Sequence, residues 1–491
     1  MQLSQHQIPQ EVLHVTKTLE DAGFEAWIVG GCVRDLFLER KPKDWDVTTN
    51  ATPEQIQGLF QNTFYTNEFG TVGVVNDSVS DETLKVIEVT PYRVEGKYSD
   101  ARRPDSVIFS QKIEDDLKRR DFTINALAFS PKSGELLDLY EGIKDINAGI
   151  LRAVGEPKER LDEDALRILR AVRIAAELNF TIEESTRLAM GESASQLAKI
   201  SKERIRDEFV RIINSSQPKK SLILSHDLGI LQYIAPELEQ GISIDQNQAH
   251  SYDVFEHNIR SLQHAADKGW SSAVRIAALF HDVGKPKSRR WSEEKDDWTF
   301  HGHEVVGARM VKKILEGLKF PRETIDKTEK LVRWHMFFSD PDKITLSAVR
   351  RIIANVGKES IDDLVKLRIC DRIGTGRPKE QPFRLRKYQA MIEQALRDPI
   401  SVGMLAIDGT QLIEITGERP GPRLGWILHA LLEEVLDDPT KNTLDYMEER
   451  AKELSKLSDD ELKSIGEEGK ERKAEAEEAD IKDIQKKYFV D

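Results

Sequence analysis

The 491-residue chain is long enough for roughly three domains, and its 39% hydrophobic fraction suits folded cores rather than a disordered polymer. No apolar run reaches bilayer-spanning length, and two cysteines, Cys32 and Cys370, exclude a disulfide framework and fit a reducing cytosol. The net charge of −14 argues against a uniformly basic surface, but Glu433 to Asp491 hold 20 acidic against 11 basic residues, so much of the excess sits there.

Met1 to Gln10 carry neither a charged n-region nor an apolar h-region, so the expected location is cytoplasmic. Residues 11–150 mix helix and strand signals. Ala26-Trp27-Ile28-Val29 reads as a buried strand running into Gly30-Gly31, then a short helix with Arg34 and Asp35 in its first turn. A second strand is expected near Trp45 to Thr48, and Thr52 before Pro53 predicts a helix N-cap with proline at the first position. Thr71 to Val75 and Leu84 to Val89 are further β-rich runs.

After Pro157 apolar residues recur at helical spacing (Ala165, Leu169, Val172, Ala176), with a boundary near Leu151 to Glu156. A helical neck over 151–218 ends at the break Asn214 to Pro218. A histidine-rich helical domain follows over 250–375, then a tail over 400–491 with the turn-rich run Gly417 to Pro422 and a Lys/Glu/Ala-rich, solvated end. The expected fold class is α+β: a small mixed-sheet head followed by all-α neck, histidine-rich and tail domains.

Asp44-Trp45-Asp46 carries the first chemistry. Residues two apart on a strand share a face, so both carboxylates would point together and hold one or two hard cations, with Mg2+ the expected ion. Such ions compensate charge on the attacking and leaving oxygens of an in-line displacement at phosphorus. An isolated Asp-x-Asp is more often a surface turn. Here Gly30-Gly31 precedes it: glycine lets a backbone approach phosphate closely, and Arg34 can add a bidentate contact. Farther on, Asp164 and Arg167 are three apart, expected on one helical face, where an acceptor and a donor together could read the edge of a base. Arg170 and Arg173 extend that stripe. An ordinary intrahelical ion pair is the structural alternative.

Val29-Gly30-Gly31-Cys32-Val33-Arg34-Asp35 followed by Lys43-Asp44-Trp45-Asp46-Val47-Thr48 resembles the head signature of class II CCA-adding enzymes and bacterial poly(A) polymerases, in the polymerase-β-like nucleotidyltransferase superfamily. Glu39 departs from it, standing where these proteins usually end the short helix with glycine. Lys118 to Ala126 resembles the second motif of the family, which implies a nucleotide and phosphate contact for Arg120. Glu163 to Arg173 resembles the nucleotide-selecting motif, and Glu203-Arg204 with Glu208 the motif that shapes the neck. The resemblance implies a nucleotide-binding set of Gly31, Arg34, Arg120, Asp164, Arg167, Arg170 and Arg173, with Asp44 and Asp46 as catalytic metal ligands. Glu88 is a further carboxylate on its own strand, either beside that pair or facing solvent. The segment Tyr92 to Phe109 resembles the loop the family uses in switching from CTP to ATP, and Ile407 to Gly425 resembles its tRNA-contacting tail. A turn that merely docks two helices is the alternative for that tail run.

Leu279-Phe280-His281-Asp282-Val283-Gly284-Lys285 resembles the HD phosphohydrolase superfamily. The resemblance implies a divalent-metal set of His257, His281, Asp282, His303, His335 and Asp371, with His301 an alternative to His303. The function implied is addition of C, C and A to the 3′ end of tRNA from CTP and ATP, with a phosphohydrolase centre alongside. The expected partners are tRNA, CTP and ATP, with no membrane and no protein partner. The alternatives are a poly(A) polymerase, or an HD phosphohydrolase whose head only anchors RNA.

Overall fold

The computed structural model describes residues 3–66, 70–77, 79–95, 107–246, 251–336, 344–463 and 465, and divides into two compact units, Met1–Pro236 and Glu237–Asp491. Residues 96–106, most of the segment assigned to nucleotide switching, and the acidic end beyond 465 lie outside the described residues. No described helix is long and apolar enough to cross a membrane.

The first unit is built on strands β1 (Ala26–Val29), β2 (Asp46–Thr49), β3 (Thr63–Tyr65), β4 (Val72–Val75), β5 (Val86–Pro91), a separate pair β6 (Arg93–Glu95) and β7 (Val107–Phe109), then β8 (Leu127–Phe129) and β9 (Leu136–Asp138). Seven of them form one mixed sheet in the order β3-β4-β5-β2-β1-β8-β9. Strand β2 runs parallel to β5 and antiparallel to β1, so the centre of the sheet carries the first glycine turn and the first carboxylates side by side. Ile28, Val29 and Val47 are buried at this centre, and helix Gln10–Asp21 turns Val12, Val15 and Leu19 inward at helical spacing. Thr52 caps helix Pro53–Leu59 through a reciprocal capping box with Gln55.

Beyond the sheet the unit is helical, apart from the short parallel pair β10 (Ile150–Leu151) and β11 (Thr181–Ile182). Helix Leu166–Leu178 ends on Asn179 in the left-handed conformation and packs against Lys202–Ile213, whose Ile205, Phe209 and Ile212 are buried. Two expectations are corrected here. Strand β2 begins at Asp46, so Asp44 lies in the bend before it rather than on it. The helix expected to carry both Asp164 and Arg167 is broken: Pro157–Glu163 ends, Asp164 is extended (φ −137°, ψ 102°), and a new helix starts at Leu166. The cause is local. The Asp164 carboxylate accepts the Leu166 N–H at 3.1 Å, a cap that competes with helix continuation.

The second unit is helical except for the hairpin β12 (Arg290–Ser292) and β13 (Asp297–Thr299). Helices Val254–Asp267, Ser272–Phe280, His303–Gly317, Arg322–Trp334 and Ile361–Gly374 each bring at least one histidine or aspartate at or next to an end, or on a buried face. Ala265, Val274, Leu331, Leu364 and Cys370 belong to the core beneath them. A separate core gathers Ile407, Leu412, Ile427, Leu431, Met447 and Leu454. In the turn-rich run, Arg423 donates to Glu418, Asp459 and the carbonyls of Ser455 and Leu457, so it fastens helix ends together.

Candidate functional site

The head site begins where β1 ends. Gly30 has φ +83°, a conformation that favours glycine, and a Cβ there would sit 2.9 Å from Arg120 Nη1 and 3.5 Å from Asp46 Oδ2. The turn, the second carboxylate and Arg120 are therefore packed together. Val29 pairs with Asp46 across β1–β2, and Asp46 pairs with Glu88 across β2–β5. Burial pushes the Asp46 carboxyl up to about 7; Asp44 and Glu88 push further, while Arg120 and Arg170 oppose. Glu88 is raised by burial and by Asp44. Burial and the nearby Asp44 charge thus raise both Asp46 and Glu88, a condition a hard divalent cation would relieve, and all the donors on offer are oxygens.

The cationic side chains around this set are held from behind. Asp116 is fully buried; burial works against its charge, but Arg119 and Arg120 outweigh it and keep it below the usual carboxylate range. Arg120 Nε is buried with no hydrogen-bond partner among the described residues, a donor left for a ligand. Arg34 donates to Asp35 and, at 2.6 Å, to Asn125 Oδ1; Asn125 donates to Asp121 Oδ1 at 3.0 Å; and Arg170 donates twice to Asp121 Oδ2, at 2.9 and 2.6 Å. Gly31 opens helix Gly31–Phe37, with Arg34 Nη2 3.5 Å from where its Cβ would be.

The expected stripe of Asp164, Arg167, Arg170 and Arg173 does not form one surface, because separate carboxylates capture each arginine. Arg167 donates to Glu163 Oε2 at 2.6 Å and to the carbonyls of Arg160 and Arg119. Arg170 turns to Asp121. Arg173 is buried against Glu208 at 2.6 Å and Glu177 at 3.1 Å, joining two helices. Asp164 instead receives Arg204 at 2.8 Å, and Arg204 Nη1 is buried without a partner among the described residues. Gly30, Glu88, Asn125 and Arg204 are thus site residues that sequence reasoning left out of the set. A signal existed for Glu88, whose β-rich run alternates; only the strand pairing puts it beside Asp46.

In the second unit all six expected ligands converge, and all are buried. Asp282 lies between two groups. Its Oδ2 is 3.1 Å from His257 Nε2 and 3.4 Å from His281 Nε2, with Asp371 Oδ1 3.4 and 3.8 Å from the same two nitrogens. Its Oδ1 is 3.2 Å from His303 Nε2 and 3.5 Å from His335 Nε2. His281, His303 and His335 each place Nδ1 against a backbone carbonyl, of Ala278, Phe300 and Val332, at 2.9, 2.7 and 2.6 Å. A carbonyl only accepts, so each Nδ1 carries its proton and each Nε2 turns inward. His303 and His335 Nε2 then meet at 3.3 Å, an arrangement that requires positive charge between them. Burial opposes charge on Asp282 and Asp371, but Lys285 and His281 around the first, and Arg368 and His257 around the second, hold both well below the ordinary carboxylate range. His303 stands in the cluster that could hold a metal; His301 is exposed and outside it.

Comparison with known proteins agrees with both regions. A family model described as "Poly A polymerase head domain" matches residues 26–152, one described as "Probable RNA and SrmB- binding site of polymerase A" matches 179–242, and one described as "HD domain" matches 254–375. The CCA-adding enzyme of Lactobacillus delbrueckii subsp. bulgaricus is 33% identical over 88% of this chain and 95% of its own length. That of Leuconostoc mesenteroides is 43% identical over 53% of this chain and 66% of its own length. Among solved structures, the Bacillus stearothermophilus CCA-adding enzyme in complex with CTP has a TM-score of 0.67 and 26% identity, covering 91% of this chain and 97% of that one. The Thermotoga maritima CCA-adding enzyme complexed with tRNA shares the fold at a TM-score of 0.54 and 18% identity, covering 92% and 97%.

Proposed function

This chain belongs to the CCA-adding enzymes, and from that membership we infer that it extends the 3′ end of tRNA by C, C and A, drawing on CTP and ATP and releasing pyrophosphate. The observation that carries the reading is the meeting of Asp46, Glu88, Gly30 and Arg120 at the centre of the sheet. In this reaction the terminal hydroxyl of the RNA attacks the α-phosphorus of the nucleotide, and no template is needed if protein groups read the base.

Asp44 and Asp46, with Glu88 beside them, are the residues that would hold divalent cations, with Mg2+ the proposed ion. Bound there, such ions supply positive charge to the attacking and leaving oxygens. Gly30 lets the backbone of the turn at Gly31 approach the triphosphate, and the unpartnered Nε of Arg120 points to a phosphate contact. Arg34 and Arg170 are held rigid by Asn125 and Asp121, so they present charge without reorganising during the reaction. Asp164 in the helix break and Arg167 just after it are the base-reading pair, one offering oxygens and the other the N–H groups left over from its contacts with Glu163, Arg160 and Arg119; Arg204 steadies Asp164. Arg173 acts at a distance, fastening the nucleotide-reading helix to its neighbour. A cytoplasmic location suits a chain whose two cysteines are free and buried.

The buried histidine cluster is the second centre. His257, His281 and Asp371 near one oxygen of Asp282, and His303 and His335 near the other, would hold divalent cations, and the chemistry these would supply there is hydrolysis of a phosphoester. Incubation of the protein with tRNA lacking its CCA end, labelled CTP and labelled ATP tests the main reading. Ordered incorporation of two C and one A supports it; an unlimited A tract overturns it.

A further inference from the structure

The hairpin β12–β13 interrupts the chain between one metal-ligand pair, His281 and Asp282, and the next ligand, His303. Short, hydrogen-bonded connections join it to both. On the incoming side the Lys285 N–H donates to the Asp282 carbonyl at 3.0 Å and the Ser288 N–H to the Gly284 carbonyl at 3.1 Å. On the outgoing side the Phe300 carbonyl receives His303 Nδ1. The hairpin therefore leaves and rejoins the chain beside the candidate ligands, a rim set by these covalent connections.

Trp291 and Trp298 pair across its two strands, edge to face, with ring centroids 5.2 Å apart, and Trp291 remains 50% exposed. The Arg289 guanidinium lies 3.8 Å over the Trp298 ring. A cross-strand aromatic pair steadies a two-stranded hairpin, and that accounts for Trp298. It does not account for the neighbouring polar groups. Arg289 Nε and Ser288 Oγ are both buried without a hydrogen-bond partner among the described residues, and Arg289 has no ion pair there. A stacked, uncompensated arginine beside an unpartnered hydroxyl is a receptor for an anion, and an open tryptophan face next to it accepts an aromatic ring. The turn beyond Trp291 is acidic at Glu293, Glu294, Asp296 and Asp297, which repels a continuing phosphate backbone.

We propose that this hairpin is the specificity element of the histidine centre, with Trp291 stacking the base and Arg289 and Ser288 holding the phosphate of a single nucleotide rather than of a long RNA. The proposal rests on reading that centre as a phosphoester-hydrolysing metal site. Ring and phosphate are recognised on one rim, which makes a nucleoside phosphate the matching ligand class, and a sugar phosphate without a base the poorer one.

The test is equilibrium dialysis of AMP and of ribose 5-phosphate against the full-length, Mn2+-loaded protein, in an Asp46→Ala/Asp164→Ala background that removes a cation-holding group and a base-reading group of the head. Phosphate release from both compounds is followed in parallel. Trp291→Ala is expected to weaken AMP binding about ten-fold and to reduce the preference for AMP over ribose 5-phosphate to the same extent, with Trp291→Phe restoring most of it. Arg289→Met is expected to weaken both ligands. Equal AMP affinity in the wild-type hairpin and Trp291→Ala, or no preference for AMP at the outset, overturns the proposal. AMP binding through Trp291 with no phosphate released from either compound removes the hydrolase reading and leaves the hairpin assignment standing. Hydrolysis indifferent to Trp291 does the reverse.

Discussion

The two centres of this chain solve one electrostatic problem in opposite ways. In the head, Asp44 is exposed and Asp46 partly so, and the Asp44 charge adds to burial in raising both Asp46 and Glu88. In the histidine centre every ligand is buried, and neighbouring cations pull Asp282 and Asp371 down. An open set of mutually repelling acids favours cations that arrive and leave with the substrate, as a triphosphate reaction needs. A closed set whose rings are pre-aligned by backbone carbonyls favours resident ions. The difference teaches that the head is built for turnover of large substrates and the histidine centre for retention.

The sharpest way to break this comparison is at its carboxylates. Asp46→Ala is expected to lower CCA addition by about 10³-fold or more while leaving metal content and phosphate release at the histidine centre untouched, measured by nucleotide incorporation and metal analysis on one preparation. Parallel loss at both centres would show that they are not independent. Next in size, if the centre holds the two cations proposed for it, Asp282→Asn is expected to weaken both by about 10²-fold or more, whereas His335→Ala loses one of them. Metal-to-protein ratios after dialysis check this: two ions falling to none in the first variant and to one in the second. Equal loss in both would sink the bridging role of Asp282.

A third comparison concerns the support beneath the head. Burial opposes charge on Asp121, but Arg170 and Asn125 outweigh it and hold its pKa below the usual carboxylate range. A folded-state pKa depressed below the unfolded value gives stability that is complete above the unfolded pKa, about 3.9, and is lost as pH falls below it. Asp121→Asn leaves Arg170 without its partner and is expected to cost the first unit about 3 kcal/mol at pH 7. Denaturant titrations at several pH values should show the deficit shrinking below about pH 4. A deficit that stays constant there would assign the effect to packing.

Much of this was legible beforehand, for identifiable reasons. The run Ala26 to Val29 and the Thr52–Pro53 cap depend on contacts within a few residues, and both form as read. The α+β class followed from the change of period after Pro157. The six histidine-centre residues were visible as residue types in order, and they converge. What stayed hidden depends on pairing at long range. Nothing near Glu88 announces that β5 lies parallel to β2, and nothing near Arg173 announces Glu208, 35 residues away. The break at Asp164 was hidden for the opposite reason. Helical periodicity resumes on both sides of it, so the pattern survives while one residue leaves the helix.

The smallest expected effect lies at Glu39, where the family resemblance leads one to expect glycine. Helix Gly31–Phe37 closes with Leu38, and the next residue, Glu39, has φ +52°. That is the left-handed region, where a side chain costs roughly 1–2 kcal/mol and glycine costs none. Glu39 is exposed, so its carboxylate recovers nothing from packing. The departure is therefore a local strain at the exit of the helix that positions Arg34, separate from the chemistry of the carboxylates. Glu39→Gly removes the strain but adds freedom to the unfolded chain, so the net gain is expected to be about 0.5–1 kcal/mol. For a unit of this size that raises the melting temperature by about 2 °C, readable by calorimetry, with CCA addition unchanged. A lower melting temperature would mean that Glu39 makes a stabilising contact its exposure does not reveal. A changed rate of addition would place the helix exit inside the working part of the head.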